Sequence, residues 1–232
     1  MTANVTSTSK SAHRFGAYCA IAGVAVIVIS TMLHPIHADP NDPVMAFSEY
    51  AADPYWTWSH LGRLIGYILV GVALSFVSTA NVGGIADILF KLGNAGICIS
   101  VTLAAALQAV DGIALKRMVD RWSVASVETK DMVFEAVIAV RQIEIALASM
   151  VSLSFGTTIL IIGVACYLSK LYSRWFAYLG IITGCGIAAS GFSIALSGFS
   201  ATSMKLGMPS SILLMFWLIL LGALLLKISN RQ

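Results

Sequence analysis

Long runs of apolar residues alternate with short polar segments along most of this 232-residue chain. Six runs approach or reach the roughly 20 residues that an α-helix needs to cross the hydrocarbon core of a bilayer. They cover residues 15–33, 56–79, 85–110, 145–168, 175–197 and 210–226. Because unpaired backbone groups are costly in lipid, each run is predicted to be a helix. The predicted fold class is all-α, a bundle of six transmembrane helices in a single integral membrane domain, 1–232.

Residues between the runs predict where some helices begin. Asp53 and Pro54 suit the N-cap and the first position of a helix, and they precede the second run. The residues that follow are typical of an aromatic belt at a membrane interface, and they are Tyr55, Trp56 and Trp58. Gly207 and Pro209 are predicted to break the chain immediately before the sixth run.

Helical periodicity in the third and fourth runs continues beyond the thickness of a bilayer. Ala114, Met118 and Trp122 keep a helical spacing after the third run. A polar stripe precedes the fourth run and consists of Glu128, Asp131, Glu135 and Gln142. The pattern predicts that helices 3 and 4 extend into an extramembrane helical hairpin over about 111–144.

Charge between the runs predicts an orientation in the membrane. No Lys or Arg occurs between Arg14 and Arg63, whereas four acidic residues do. The positive-inside bias then places this segment outside and both termini in the cytoplasm. Four basic residues of the predicted outer hairpin run against the bias, and they are Lys116, Arg117, Arg121 and Lys130.

Composition supports a membrane protein and argues against several other classes. Hydrophobic residues make up 58% of the chain and charged residues 11%, whereas soluble domains average about 45–50% apolar and about 25% charged. The net charge of +3 comes without a basic run, so no nucleic-acid partner is expected. The four cysteines have no zinc or redox spacing.

Small residues at four-residue intervals predict close helix packing, either within the bundle or against another subunit. Gly62 and Gly66 form such a pair in the second run. Gly96, Ser100 and Ala104 line the third run. The fifth run has two neighbouring stripes, one of Cys185, Ala189, Ser193 and Ser197 and the other of Gly180, Gly184 and Ala188. The expected partners are the lipid bilayer and, through helices 2, 3 and 5, a homo- or hetero-oligomer.

Ionisable residues near membrane depth are concentrated at the predicted outer ends of the first four helices. The candidate ligand-binding cluster consists of His60, Arg63, Tyr67, Gln108, Asp111, Arg141 and Glu144. Trp56, His60, Arg63 and Tyr67 share one helix face by their spacing. An arginine about two turns inside the helix is costly unless it finds a partner or water.

Four interpretations of this cluster stay open. In the first, Arg63 pairs with Asp111 or Glu144 and has a structural role. In the second, the residues line a pocket for a small ligand or ion, as in a transporter, sensor or channel. A third is a transition-metal or b-type haem site in a redox subunit, with His34, His37 and His60 as ligands. The fourth is acid–base catalysis by His60 with Asp111 or Glu144, although no nucleophile or substrate motif identifies an enzyme.

Several segments together resemble a group of small bacterial multi-pass membrane proteins that is known mainly as a domain of unknown function. They are "LHP" at the end of the first run, "WTWSHLGRLIGYIL", "AVDGIALKRMVDRW" and "AVRQIEIAL". The resemblance covers roughly the first 170 residues. It implies a location in the bacterial inner membrane and transfers no activity and no catalytic residue.

Overall fold

The computed structural model describes residues 2–35, 37–78 and 83–230, and this part of the chain contains helices and no strand. The α-helices are α1 (Thr2–Met32), α2 (Pro43–Ala52), α3 (Trp56–Ser78), α4 (Gly84–Ala109), α5 (Lys116–Ser123), α6 (Lys130–Ser169), α7 (Arg174–Ser197) and α8 (Ala201–Ser229). A π-helical segment, Val110–Leu115, joins α4 to α5. Six of the helices in these ranges are long and apolar enough to cross a membrane, counting α4 to α5 as one. The predicted all-α class and the six apolar helices are therefore confirmed.

The third and fourth apolar helices are much longer than the others. Gly84–Ser123 and Lys130–Ser169 each contain 40 residues. An α-helix of this length spans roughly 60 Å, about twice the hydrocarbon thickness of a bilayer. Which part of the two helices lies outside the membrane stays a prediction. The predicted end of the second span, residue 79, lies outside the described residues.

The predicted chain break before the sixth span is wrong. Helix α8 runs without interruption from Ala201 to Ser229 and contains Pro209. Proline at this position removes one backbone donor, a loss that membrane helices tolerate when neighbouring polar groups compensate. The hydroxyl of Ser210 donates to the carbonyl of Leu206 at 2.7 Å, which supplies a bond in this turn. The last span therefore starts nine residues before its predicted position at 210.

The predicted helix start at Asp53–Pro54 is also displaced, because Asp53 ends a helix that the apolar pattern did not predict. Asp53 is the C-cap of α2, and α3 begins at Trp56. The carboxylate of Asp53 accepts from the backbone N–H of Tyr55 at 2.8 Å, so it orders the turn between the two helices. Asp42 is the N-cap of α2 and accepts from the N–H groups of Val44 and Met45.

The six long helices form a closed ring. Going round it, α1 packs on α3, α3 on α4, α4 on α6, α6 on α7, α7 on α8, and α8 returns to α1. Large apolar side chains remain exposed on the outward faces, and examples are Ile29, Ile68, Ile99, Phe192 and Ile212. Such a surface is suited to contact with lipid.

An apolar core fills the end of the ring where α1 begins and α8 finishes. Trp217 is fully buried there, stacks on Phe176 with ring centroids 4.9 Å apart, and donates its indole N–H to the carbonyl of Phe176 at 2.9 Å. Leu74, Phe90 and Ile162 belong to the same cluster. This packing leaves the opposite end of the ring for the polar residues.

Most of the small-residue stripes bring helices of this chain together. A Cβ on Gly66 would meet Ile27 of α1, one on Gly96 would meet Thr158 of α6, and one on Gly184 would meet the backbone of Leu160. The stripe of α7 that begins at Cys185 is different, because Cys185 and Ala189 are exposed. An oligomer through these helices stays a prediction, and Cys185 and Ala189 are the exposed small residues that it would use.

Candidate functional site

The candidate site lies at the end of the ring where α1, α4 and α7 finish and α3 and α8 begin. Helix α2 covers part of this end. Phe47 of α2 is buried and makes edge-on contacts with Trp122 of α5 and Phe134 of α6. These contacts attach the short helix to the long helical pair.

Two charged side chains, Glu49 and Lys116, hold the C-terminal half of α2. The Glu49 carboxylate accepts from the backbone N–H groups of His37 and Ala38 at 3.0 and 2.9 Å. The Lys116 ammonium donates to the carbonyls of Tyr50 and Ala51, both at 2.9 Å, and so satisfies the last turn of α2. Lys116 is one of the basic residues that run against the predicted orientation, and capping gives it a local structural role.

A buried histidine–aspartate pair lies under α2. The Nε2 atom of His60 is 2.9 Å from Oδ2 of Asp111, and the two residues are 1% and 9% exposed. On its other side, Nδ1 of His60 lies 2.7 Å from the carbonyl of Trp56. A carbonyl only accepts, so Nδ1 carries a proton and Nε2 faces the carboxyl group. Nε2 and Oδ2 can therefore form a hydrogen bond only with one further proton between them.

The π-helical segment places Asp111 and exposes its backbone to α3. The indole N–H of Trp56 donates to the carbonyl of Asp111, and the hydroxyl of Thr57 donates to the carbonyl of Gly112, both at 2.9 Å. A Cβ on Gly112 would overlap the side chain of His60, so only glycine allows this approach. π-Helical turns inside α-helices occur frequently at functional sites.

A second buried charge pair lies on α6. Nη1 of Arg141 donates to Oε2 of Glu144 at 2.6 Å, and the two residues are 7% and 3% exposed. The Arg141 guanidinium also lies over the rings of Tyr50 and Phe199, at 5.7 and 5.1 Å from their centroids. A buried arginine is stabilised by such a combination of a carboxylate and aromatic faces.

Arg63 joins neither pair. The structural prediction that it would bind Asp111 or Glu144 is wrong, because His60 and Arg141 occupy those carboxylates. Arg63 is half-buried and makes no hydrogen bond or ion pair with any residue that the structure describes. Of the two arginines that line the cavity described next, Arg141 has a carboxylate partner and Arg63 has none among the described residues.

These groups surround a cavity of about 260 Å³. A single water needs roughly 10–15 Å³ by this measure, so the space holds several waters or a small molecule. Its lining contains four ionisable residues of the predicted cluster, which are Arg63, Asp111, Arg141 and Glu144. His34 and the aromatic residues Tyr50, Trp56 and Phe199 also line it. The Oδ1 atom of Asp111 is buried and has no hydrogen-bond partner among the described residues.

Three residues of the predicted cluster do not line this cavity, although one of them, His60, binds the lining residue Asp111. Tyr67 is half-buried one turn below Arg63, contacts Phe155 and lines apolar spaces instead. Gln108 is 3% exposed, and its Oε1 atom has no partner among the residues described. The structure thus groups His60, Arg63, Asp111, Arg141 and Glu144 but not the whole predicted set.

The three histidines of the metal or haem interpretation are not grouped together. The rings of His34 and His60 are 5.2 Å apart, whereas His37 is exposed. Both nitrogens of His60 face other protein groups, Asp111 and the carbonyl of Trp56. Within the described ranges, no three His, Cys, Asp or Glu side chains are arranged to hold a metal ion.

The environment of His34 keeps its imidazole neutral. Burial lowers the pKa of His34 from 6.5 to about 4, and the positive charge of Arg63 and proximity to His60 act in the same direction. Its Nδ1 atom lies 2.7 Å from the carbonyl of Pro35 and its ring packs on Trp56 at 4.6 Å. His34 thus contributes a neutral polar edge to the cavity.

Two aromatic members of the site, Tyr50 and Phe199, were not predicted, and a third, Trp56, was placed on the helix face of His60 and Arg63 but not in the cluster. Trp56 was assigned to an interfacial belt, but it is 1% exposed, while Tyr55 and Trp58 are 56% and 70% exposed. Tyr50 and Phe199 lie in segments without an apolar run and gave no signal. Aromatic residues at alternate positions 56 and 58 could have been assigned to opposite helix faces, because they are 200° apart on a helix.

Comparisons of this chain with protein-family models, with curated proteins and with solved structures found no match. The geometry of the polar cavity and of the helices around it is therefore the basis for assigning a function.

Proposed function

We propose that this chain is a multi-pass membrane protein that binds a small polar ligand, or the polar head of a larger one, in the cavity between His34, Arg63, Asp111, Arg141 and Glu144. The observation that carries the proposal is the state of Arg63. It lines a cavity in which the other charged groups already have partners, while it has none among the described residues.

The unmatched groups define what such a ligand offers. Arg63 provides donors and a positive charge, so it suits an acceptor that carries negative charge. The buried Oδ1 of Asp111 lacks a donor, and buried polar groups are nearly always satisfied by protein, water or ligand. A hydroxyl, ammonium or ordered water would satisfy it.

Three observations support a location and an orientation for the protein: the six apolar helices, the distribution of Lys and Arg, and the resemblance to bacterial membrane proteins. We place the protein in a bacterial inner membrane with both termini in the cytoplasm and the polar end outside, because the 34–53 segment has no Lys or Arg. The distal parts of the two 40-residue helices would then form the outer hairpin, since their length exceeds the hydrocarbon thickness. Alkaline phosphatase fusions test this orientation. We expect the enzyme to be active when it is inserted in the 124–129 loop and inactive when it is fused to the C-terminus. The reverse pattern would contradict the proposed orientation.

A binding experiment tests the cavity directly. The purified protein would be titrated with acetate, inorganic phosphate, sulfate and glycine while its thermal unfolding is followed. We expect at least one of these probes to raise the unfolding temperature in a saturable manner. Arg63→Gln should abolish the shift, whereas Arg117→Gln, which removes the same charge from an exposed position on α5, should retain it. Equal shifts in the two variants would contradict a role for Arg63.

A further inference from the structure

A second, largely apolar cavity continues from the polar one at Arg63. It has a volume of about 450 Å³ and lies between α1 and α3 on one side and the α7–α8 region on the other. Arg63, Phe199 and Met204 line both spaces. Half of the remaining lining residues are isoleucine or methionine, including Ile27 and Met208, and the others are small or polar, such as Gly207 and Ser211. A single ligand could therefore contact the polar groups and the apolar walls together.

This apolar cavity opens sideways between α1 and α8. Met208 and Ile212 of α8 line it and are 61% and 65% exposed, and Thr31 of α1 is exposed on the other rim. These residues belong to the outward helix surface that is suited to lipid. The opening therefore faces the side of the ring, where molecules dissolved in the bilayer can enter.

At the other end, the same two helices are closed against each other. A Cβ on Gly222 of α8 would meet the side chain of Ile21 on α1. The hydroxyl of Ser229 donates to the carbonyl of Lys10 at 3.1 Å, and Arg14 donates to Asn230 at 3.4 Å. The opening is thus confined to the polar half of the α1–α8 contact.

Apolar space also continues inward from the opening. Ile27, Tyr67, Ser211 and Met215 line both the lateral cavity and a smaller interior one of about 140 Å³. The interior cavity is bounded further by aliphatic and aromatic side chains such as Phe155. A flexible hydrocarbon chain fits such a connected space, and methionine side chains adapt readily to its shape.

Charge at the junction selects the head group. Asp111 is paired with His60, and Glu144 is paired with Arg141. Arg63 lies where the polar and apolar cavities meet, and its positive charge has no ion-pair partner among the residues that the structure describes. An anion is favoured at this point and a cation is disfavoured.

We infer that the ligand is an anionic amphiphile: a carboxylate or phosphate monoester bound at Arg63, with a single alkyl chain in the cavity between α1 and α8 that it enters from the bilayer. This inference rests on the proposed binding function and specifies its ligand class. The shared chemistry is an oxyanion on one hydrocarbon chain, and the two sources are a free fatty carboxylate and a phosphate-bearing lipid.

Binding of radiolabelled hexadecanoate to the full chain in phosphatidylcholine nanodiscs tests the inference, with empty nanodiscs as the blank. We expect saturable binding that unlabelled hexadecanoate or hexadecyl phosphate displaces at concentrations at least tenfold below those needed with hexadecyltrimethylammonium. Stronger displacement by the phosphate would indicate a phosphate-bearing lipid, and stronger displacement by hexadecanoate a fatty carboxylate. Displacement by the cationic amphiphile at equal concentration, or binding no greater than in empty nanodiscs, would overturn the inference.

Substitutions test the binding of the ligand's anionic head group and of its alkyl chain separately. Arg63→Gln should weaken hexadecanoate binding at least tenfold, and Arg117→Gln should leave it unchanged. Ser211→Trp fills the shared apolar space and should weaken binding equally, whereas Ala223→Trp, at an exposed position on the same helix, should not. If hexadecanoate fails to bind but acetate or phosphate still produces an Arg63-dependent thermal shift, the polar site stands and the amphiphile is wrong. If no probe depends on Arg63, the proposed function fails as well.

Discussion

His60 and Asp111 share a buried bond of 2.9 Å between Nε2 and Oδ2 although they are 51 positions apart in the chain. One belongs to α3 and the other to the π-helical segment. The bond fixes how the start of one membrane helix meets the end of the next, and it occupies a carboxylate that would otherwise be available to Arg63. The arrangement of the cavity therefore depends on this pair.

Breaking the His60–Asp111 pair should destabilise the protein. Removing one partner of a buried charged pair typically costs about 3–5 kcal/mol, because the other partner remains buried without compensation. Asp111→Leu and His60→Leu are each expected to lower the free energy of unfolding by about 3 kcal/mol, and the double variant by less than the sum. Unfolding titrations in detergent measure all three, and strict additivity would show that the pair is not coupled.

Trp56 should contribute through its indole N–H. Trp56→Phe keeps most of the apolar ring but leaves the carbonyl of Asp111 without its donor, which costs about 1–3 kcal/mol for a buried group. Trp58→Phe is the matched control, because Trp58 is 70% exposed and is expected to change stability by less than about 0.5 kcal/mol. Thermal unfolding compares the two, and equal effects would argue against the hydrogen bond.

Helix α2 should depend on Phe47. Phe47 is 1% exposed and packs on Trp122 and Phe134, and truncation of a buried phenylalanine to alanine costs about 3–5 kcal/mol. We expect Phe47→Ala to release α2 and to increase proteolysis between 37 and 53. Met45→Ala, at a position that is 58% exposed on the same helix, should leave the cleavage rate unchanged. Protection of the segment in Phe47→Ala would contradict this role.

Stability should decrease when the medium is acidified, and His34 should account for part of the decrease. The pKa of His34 is about 4 in the folded protein against an ordinary value of 6.5. Between these pH values the unfolded chain binds more protons, so the free energy of unfolding falls as the pH is lowered from 6.5 towards 4. His34→Gln should reduce this slope, while His37→Gln, at an exposed position, should preserve it. Equal slopes for both variants, measured by unfolding at several pH values, would contradict the assignment.

The polar cavity was only partly predictable from its residues. The spacing of His60 and Arg63 placed both on one helix face, and the lengths of the apolar runs placed Asp111, Arg141 and Glu144 at the same end of the bundle. The pairing was not predictable, because it depends on the rotation and register of helices distant in the chain. The wider π-helical turn of Val110–Leu115 changes the direction in which side chains after Ala109 point. A prediction from regular α-helical periodicity does not include this change.

The sequence by itself determined the class of this protein, the approximate extent of its apolar helices and the end at which its ionisable residues gather. Those properties follow from transfer free energies and helix length, which are local. Only the tertiary structure decided that Asp111 binds His60 and that Glu144 binds Arg141. It also decided that Arg63 lies beside an opening between α1 and α8 with no ion-pair partner among the described residues. These outcomes depend on packing between distant helices, where small residues such as Gly112 set the distance of closest approach.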